Sequence, residues 1–294
     1  MIRILLAILA VSVFVSDSAF SRTWSDGTAR TISAGSNTMR YRVYLPANYT
    51  TTKDYPLVLF MHGSGESGTN NSSQVSNHIS NLINLTETSY PSILIAPQLQ
   101  TSSGWYPSNP QDLTPELLDL ALSSYAIDER RLYITGLSMG GFGTMEYLDS
   151  YTDGLGIEFA AAVSMHGGYS TSVVPQAVAH FKHVPTWLIH GSADTVVSVN
   201  YSRNTYRSLV NIPASSPIVF NQTIMGYPTA VTGNIRYSEI AGGGHGGWTG
   251  LYGQTAIYNW MFAQSVAIPE PSTLFLGALA AAAVAGLRRR RACA

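Results

Sequence analysis

The 294-residue sequence is nearly devoid of cysteine: Cys293 is the only one, which excludes an intrachain disulfide and a cysteine-held metal cluster. Charge is scarce too, at 11% of residues with a formal net of −1, and four of the cations, Arg288 to Arg291, sit at the extreme C-terminus. Between Arg22 and Glu270 there are 11 Lys and Arg against 16 Asp and Glu, a net of −5. Such a body lacks the clustered cations that a nucleic-acid surface needs to neutralise phosphates. No internal repeat and no linker divides it. What is present is a 45% hydrophobic content, enough for the core of one α/β domain and unlike that of disordered or fibrous chains. Abundant Ser, Thr, Asn and Gly beside so few charges suits an exported protein.

The two ends read as addresses. Residues 1–21 combine an early Arg3, the apolar run Ile4 to Val11 and small residues around Ser18-Ala19, the pattern of a secretory signal peptide. Residues 266–294 hold Pro269-Glu270-Pro271, an apolar stretch from Leu274 to Leu287 and the arginine run. That stretch is shorter than the roughly 20 residues of a usual spanning helix, but a compact Ala/Gly helix with snorkelling arginines can serve as a short membrane anchor. Arginines at its end would stay cytoplasmic. From Ile268 to Arg291 the order of these features resembles the PEP-CTERM sorting signal of Gram-negative bacteria. The resemblance implies transient inner-membrane anchoring, removal by an exosortase-type enzyme, and a final place at the cell surface or outside the cell.

Residues 22–265 form the body. Residues 28–46 alternate in polarity and read as an antiparallel hairpin. Leu57 to Met61 is a continuous apolar run, as in a strand buried on both faces of a parallel sheet. Further strands are expected at 92–97, 131–135, 158–165, 184–190 and 234–240. Helices are expected within 70–84 and at 115–125, 141–150, 197–209 and 252–264. Strands alternating with helices give a mostly parallel sheet covered on both faces, with ligands bound beyond the strands' carboxyl ends.

Around one of those ends the chain reads Gly136-Leu137-Ser138-Met139-Gly140. A serine hemmed in by glycines between a strand and a helix is the pattern of a nucleophile elbow, which leaves Ser138 Oγ exposed at the turn. A serine hydroxyl needs an imidazole to take its proton and a carboxylate to orient that imidazole. His245, in the glycine-rich turn after the last strand, and Asp194, one turn after the strand before it, are the candidates. Asp149 and Asp153 are alternatives for the acid, but they follow the elbow helix and not a strand. The order Ser138, Asp194, His245 is the one α/β-hydrolases use. Oxyanion donors are expected from the Met139 amide and from the Ser64 amide, with Gly65 as the alternative, in the loop His62-Gly63-Ser64-Gly65. His62 reads as a structural residue of that loop and Glu66 as its brace. Trp105, Tyr106, His166 and Trp248 are expected near the site, with Trp105, His166 and Trp248 as candidate substrate contacts.

The stretches His62 to Gly68, Asp128 to Phe142, Trp187 to Val197, and Gly244 to Trp248 with Tyr258-Asn259-Trp260 resemble the compact serine esterases and "predicted peptidases" of the α/β-hydrolase superfamily, related to dienelactone hydrolase-like, feruloyl esterase and polyhydroxybutyrate depolymerase-type proteins. The resemblance spans nearly the whole body and implies the same three roles for Ser138, Asp194 and His245. It also implies a secreted carboxylic-ester hydrolase that needs neither metal nor organic cofactor. Its expected substrate is an ester decoration of polysaccharide or a polyester. Ser192 stands where such proteins often carry an acidic residue, and Glu66-Ser67-Gly68 lacks their usual arginine. A peptidase with the same triad and a non-catalytic surface protein are the competing expectations.

Overall fold

A computed structural model describes residues 24–152, 157–169 and 178–267. The expected signal peptide, Asp153 and nearly all of the C-terminal signal lie outside them. Among the described residues no helix is long and apolar enough to cross a membrane.

The strands are β1 (Thr28–Ala34), β2 (Asn37–Tyr44), β3 (Tyr55–Met61), β4 (Ile93–Gln98), β5 (Ile127–Leu137), β6 (Ala161–Met165), β7 (Thr186–Gly191), β8 (Gln222–Ile224), β9 (Tyr227–Thr232) and β10 (Ile235–Ile240). They join in one sheet of order β1-β2-β4-β3-β5-β6-β7-β10-β9-β8. The six from β4 to β10 are mutually parallel. The hairpin β1–β2 extends one edge antiparallel, as the alternating sequence predicts. The opposite edge carries an antiparallel extension, β9 and β8, that the sequence reading lacked.

The helices are α1 (Ser73–Ser76), α2 (Ser80–Glu87), α3 (Thr114–Ser124), α4 (Met139–Thr152), α5 (Asn200–Leu209), α6 (Trp248–Leu251) and α7 (Thr255–Met261). They cover both faces, and the period-2 alternation of the strands divides the core between them. Leu57, Leu59 and Met61 of β3 pack with Leu117 and Leu118 of α3 and Met145 and Leu148 of α4. The intervening Val58 and Phe60 pack with Leu82 and Ile83 of α2 and Ile257 and Tyr258 of α7. Every residue of β3 is therefore buried, the physical reason its sequence is an unbroken apolar run. The carboxyl ends of β3, β5, β6, β7 and β10 consequently lie side by side at one rim of the sheet, where the polar and glycine-rich turns gather.

Candidate active site

Ser138 sits between β5 and α4 with φ +53°, the left-handed conformation a non-glycine residue avoids unless its surroundings impose it. The imposition is visible in the glycines around it. A Cβ on Gly136 would stand 2.2 Å from Gly140 O, and one on Gly140 would stand 2.0 Å from Met61 O. The helix start is thus pressed against the ends of its own strand and of β3, at distances only glycine permits. Ser138 N–H donates to Met165 O at 2.9 Å, tying the elbow to β6.

His245 reaches back from the loop after β10. Its Nε2 lies 2.9 Å from Ser138 Oγ and its Nδ1 lies 2.7 Å from Asp194 Oδ2. The carboxylate fixes the tautomer: Nδ1–H donates to Asp194, which leaves Nε2 free to accept from the serine. Asp194 follows β7 and is fixed on its other side, where Oδ1 accepts the Val196 and Val197 amides at 2.9 and 2.8 Å. Burial works against its charge, but the His245 hydrogen bond and the two amides together hold it below the usual carboxylate range. Asp149, the alternative acid, instead accepts the Tyr169 hydroxyl at 2.7 Å.

A second imidazole shares the carboxylate. His190 Nε2 is 3.2 Å from Asp194 Oδ2 and 3.0 Å from Val197 O, while its Nδ1 is 2.7 Å from Ser202 Oγ. Burial lowers its pKa. The signal for it in the sequence was the four-residue spacing His190 to Asp194 across the strand end.

The loop after β3 lies against Ser138. A Cβ on Gly63 would stand 3.4 Å from Ser138 Cβ and 2.8 Å from Leu137 Cδ1, so this backbone approaches the serine as closely as a loop can. Ser64 opens a 3-10 turn, Ser64–Glu66, and Met139 is the first residue of α4, where helix amides have no carbonyl partner one turn earlier. His62 is fully buried. Its Nδ1–H donates to Gly63 O at 2.6 Å and its Nε2 accepts Leu99 N–H at 3.0 Å, with burial pushing its pKa down to about 4. Glu66 is buried, and its carboxylate lies 3.3 Å from His78 Nε2.

Of the expected substrate contacts, two are buried. Trp105 is only 1% exposed and donates its indole N–H to His62 O at 2.9 Å, bracing the loop after β3. His166 is 0% exposed, with Nδ1 3.0 Å from Trp248 Nε1. Tyr106 is exposed. Trp248 is half-buried, edge-on to His245 at 5.1 Å and to His78 at 4.9 Å. A cavity of about 350 Å³ opens beside His245, walled by Tyr227, Ile240 and Leu251 and by the backbone of the glycine loop.

Residues 33–210 match the family model described as "Putative esterase". The chain belongs to this esterase family. Residues 267–291 of this esterase-family chain match the PEP-CTERM protein-sorting motif, which marks an exported, exosortase-sorted protein. Among solved structures it is similar to a thermostable esterase, with 30% identity and a TM-score of 0.67 over 82% of this chain; the chain spans 64% of that protein's length. Its fold is shared with the acetyl xylan esterase from Aspergillus awamori (18% identity, TM-score 0.61, 80% of this chain and 99% of that one). It is shared too with the feruloyl esterase module from Clostridium thermocellum complexed with sinapinate (17% identity, TM-score 0.55, 80% and 86%). No curated protein matches this esterase-family sequence.

Proposed function

We propose that the protein is a serine hydrolase that cleaves carboxylic esters through an acyl-enzyme, with Ser138 as nucleophile, His245 as base and Asp194 as the acid that orients it. The observation that carries this is the unbroken relay from Ser138 Oγ through His245 to Asp194, at 2.9 and 2.7 Å, in a family of esterases. Ser138 Oγ attacks the ester carbonyl as its proton passes to His245 Nε2. The Met139 and Ser64 amides receive the negative charge that builds on the carbonyl oxygen. His245 then protonates the departing alkoxide, the acyl group stays on Ser138, and water activated by the same imidazole releases the acid.

Because the leaving oxygen must face His245 to be protonated, the alcohol departs on the base's side. There the cavity walled by Tyr227, Ile240 and Leu251 supplies room for it. Export by the sorting motif favours an extracellular substrate, an ester decoration of polysaccharide or a polyester. Hydrolysis of p-nitrophenyl acetate by the wild-type protein and by Ser138→Ala is the test. Equal rates in the two would sink the nucleophile assignment, and parallel assays on peptide amides rank esterase against peptidase action.

A further inference from the structure

We propose that His166 is a positioning residue for His245: by accepting the Trp248 indole N–H, it anchors the otherwise side-chain-poor loop on which the base is carried. The inference rests on the serine-esterase reading and adds to it the group that keeps the base in place.

The loop is Gly242-Gly243-Gly244-His245-Gly246-Gly247-Trp248. Its first half is tethered through backbone, since Gly242 N–H donates to Ser192 Oγ at 2.8 Å and Gly243 O accepts Ala193 N–H at 2.9 Å. Beyond Gly243 the ties are fewer: the Gly244 backbone acts on the His166 ring, and Gly247 O accepts Leu251 N–H at 3.1 Å where α6 begins. Positions 244, 246 and 247 face open space, so only His245 and Trp248 have side chains with which to grip the body. Glycine maximises the conformational freedom of such a segment, and a base displaced by about 1 Å loses much of its rate advantage. After His245 the loop runs into α6, whose Thr249 O accepts an Asn81 amide N–H at 2.8 Å, and the Trp248 indole is the side-chain group that ties it to the strand end beside Ser138.

Its partner is built into the same strand end that holds the nucleophile. Met165 O accepts Ser138 N–H, and the next residue, His166, donates its own amide to Ile189 O at 2.8 Å. His166 adopts φ +51°, which turns its ring into the protein, where it stands edge-to-face with His245 at 5.7 Å and with Trp248 at 5.7 Å. An indole N–H only donates, so His166 Nδ1 must be the unprotonated acceptor and the proton resides on Nε2. Nε2 makes no hydrogen bond of full geometry, while the Gly244 backbone lies close enough to act on the ring as an acceptor. The neutral ring this requires is what burial, and secondarily the neighbouring His190, enforce by lowering its pKa to about 4. A buried imidazole packed edge-to-face against the base, spending its acceptor on the residue three places after it, fits a strut for the loop.

Kinetics of p-nitrophenyl acetate hydrolysis by the full-length protein decide the matter. Activity that survives in Ser138→Ala overturns the serine reading and this proposal with it; once that activity is lost, the His166 variants decide alone. His166→Asn keeps an acceptor near the Nδ1 position, and His166→Phe keeps ring volume without one. We expect His166→Asn to stay within about threefold of wild-type kcat and His166→Phe to fall about tenfold, the scale of one neutral hydrogen bond and a loosened base. A space-filling role would reverse that order and overturn the proposal. Asparagine also tolerates a left-handed backbone better, so the comparison is repeated with Trp248→Phe, where no indole donor remains. The difference between Asn and Phe then disappears if the hydrogen bond is the cause, and persistence of the difference refutes it. Should His166→Phe not fold, Trp248→Phe alone is expected to lower kcat about tenfold, and an unchanged kcat refutes the proposal.

Discussion

Replacing Asp194 by asparagine changes one atom of the proposed relay, and the surroundings of that atom set the size of the effect. All four hydrogen-bonding neighbours of the carboxylate are donors: Val196 and Val197 N–H on Oδ1 at 2.9 and 2.8 Å, and His245 and His190 on Oδ2 at 2.7 and 3.2 Å. An amide has one acceptor oxygen and one donor nitrogen. The two backbone amides cannot move without unmaking the turn after β7, so the asparagine oxygen stays with them and its NH2 faces His245. The imidazole must then accept at Nδ1 and carry its proton on Nε2, facing Ser138, in the tautomer that cannot take the serine's proton. Loss of the correct tautomer in a serine triad costs about 10⁴ in kcat, or about 5.4 kcal/mol of transition-state stabilisation. Substrate binding does not use the carboxylate, so KM is expected to stay within about threefold of wild type. Stopped-time hydrolysis of p-nitrophenyl acetate, corrected by the Ser138→Ala background, measures both. An Asp194→Asn enzyme retaining more than about a tenth of wild-type kcat would refute Asp194 as the orienting acid.

Gly140→Ala places a Cβ 2.0 Å from Met61 O and 2.5 Å from Met61 C, backbone atoms that cannot swing away; we expect about 1–3 kcal/mol lower stability by urea denaturation and at least a 100-fold loss of kcat, and near-native values for both would contradict the packed elbow. Acid should destabilise the fold: His62 and His166 are depressed from 6.5 to about 4, so between those values the unfolded chain binds protons the folded chain refuses, and stability falls as pH drops. Asp112 works oppositely, since burial raises it from 3.8 to about 6 and its stabilising proton is lost as pH rises through the upper value. Between pH 6 and 4 these three groups leave a net of about one proton, about 1.4 kcal/mol per pH unit. Asp112→Asn removes the offset and should steepen the slope towards two protons in urea titrations at fixed pH; an unchanged slope would show that Asp112 does not hold the proton. Tyr227→Ala, which opens the cavity beside the base, should raise KM about 5- to 10-fold for esters of bulky alcohols and leave methyl esters unaffected, whereas equal effects on both series would remove that cavity from the alcohol path.

The elbow and the relay were legible because their constraints are written in residue types and chain order. A glycine is demanded wherever a Cβ would stand 2.0 to 2.2 Å from a neighbouring backbone oxygen, and a proposed base and acid must follow successive strands to reach one serine. The β9–β8 edge was not legible because an edge strand need not alternate strongly. Its burial pattern is half exposed, and Pro228 of β9 sits opposite Thr223 of the edge strand β8 but past the stretch that pairs with β10, where a missing amide is tolerated. The burial of Trp105 and His166 was not legible either. Along β6 the alternation puts Ala162 on one face and Ala161, Val163 and Met165 on the other, a pattern that extrapolates smoothly to the next residue. His166 breaks it with φ +51°, and nothing in the side-chain sequence encodes that reversal. The same limit governs the proposed oxyanion donors, which are main-chain groups: residue types can place a glycine near them, while the direction of an amide belongs to the backbone alone. The elbow and the end of β6 each hold a non-glycine residue in the left-handed region, Ser138 at φ +53° and His166 at φ +51°, and the Ser138 N–H bond to Met165 O joins them, so relieving the strain at one residue should disturb the other.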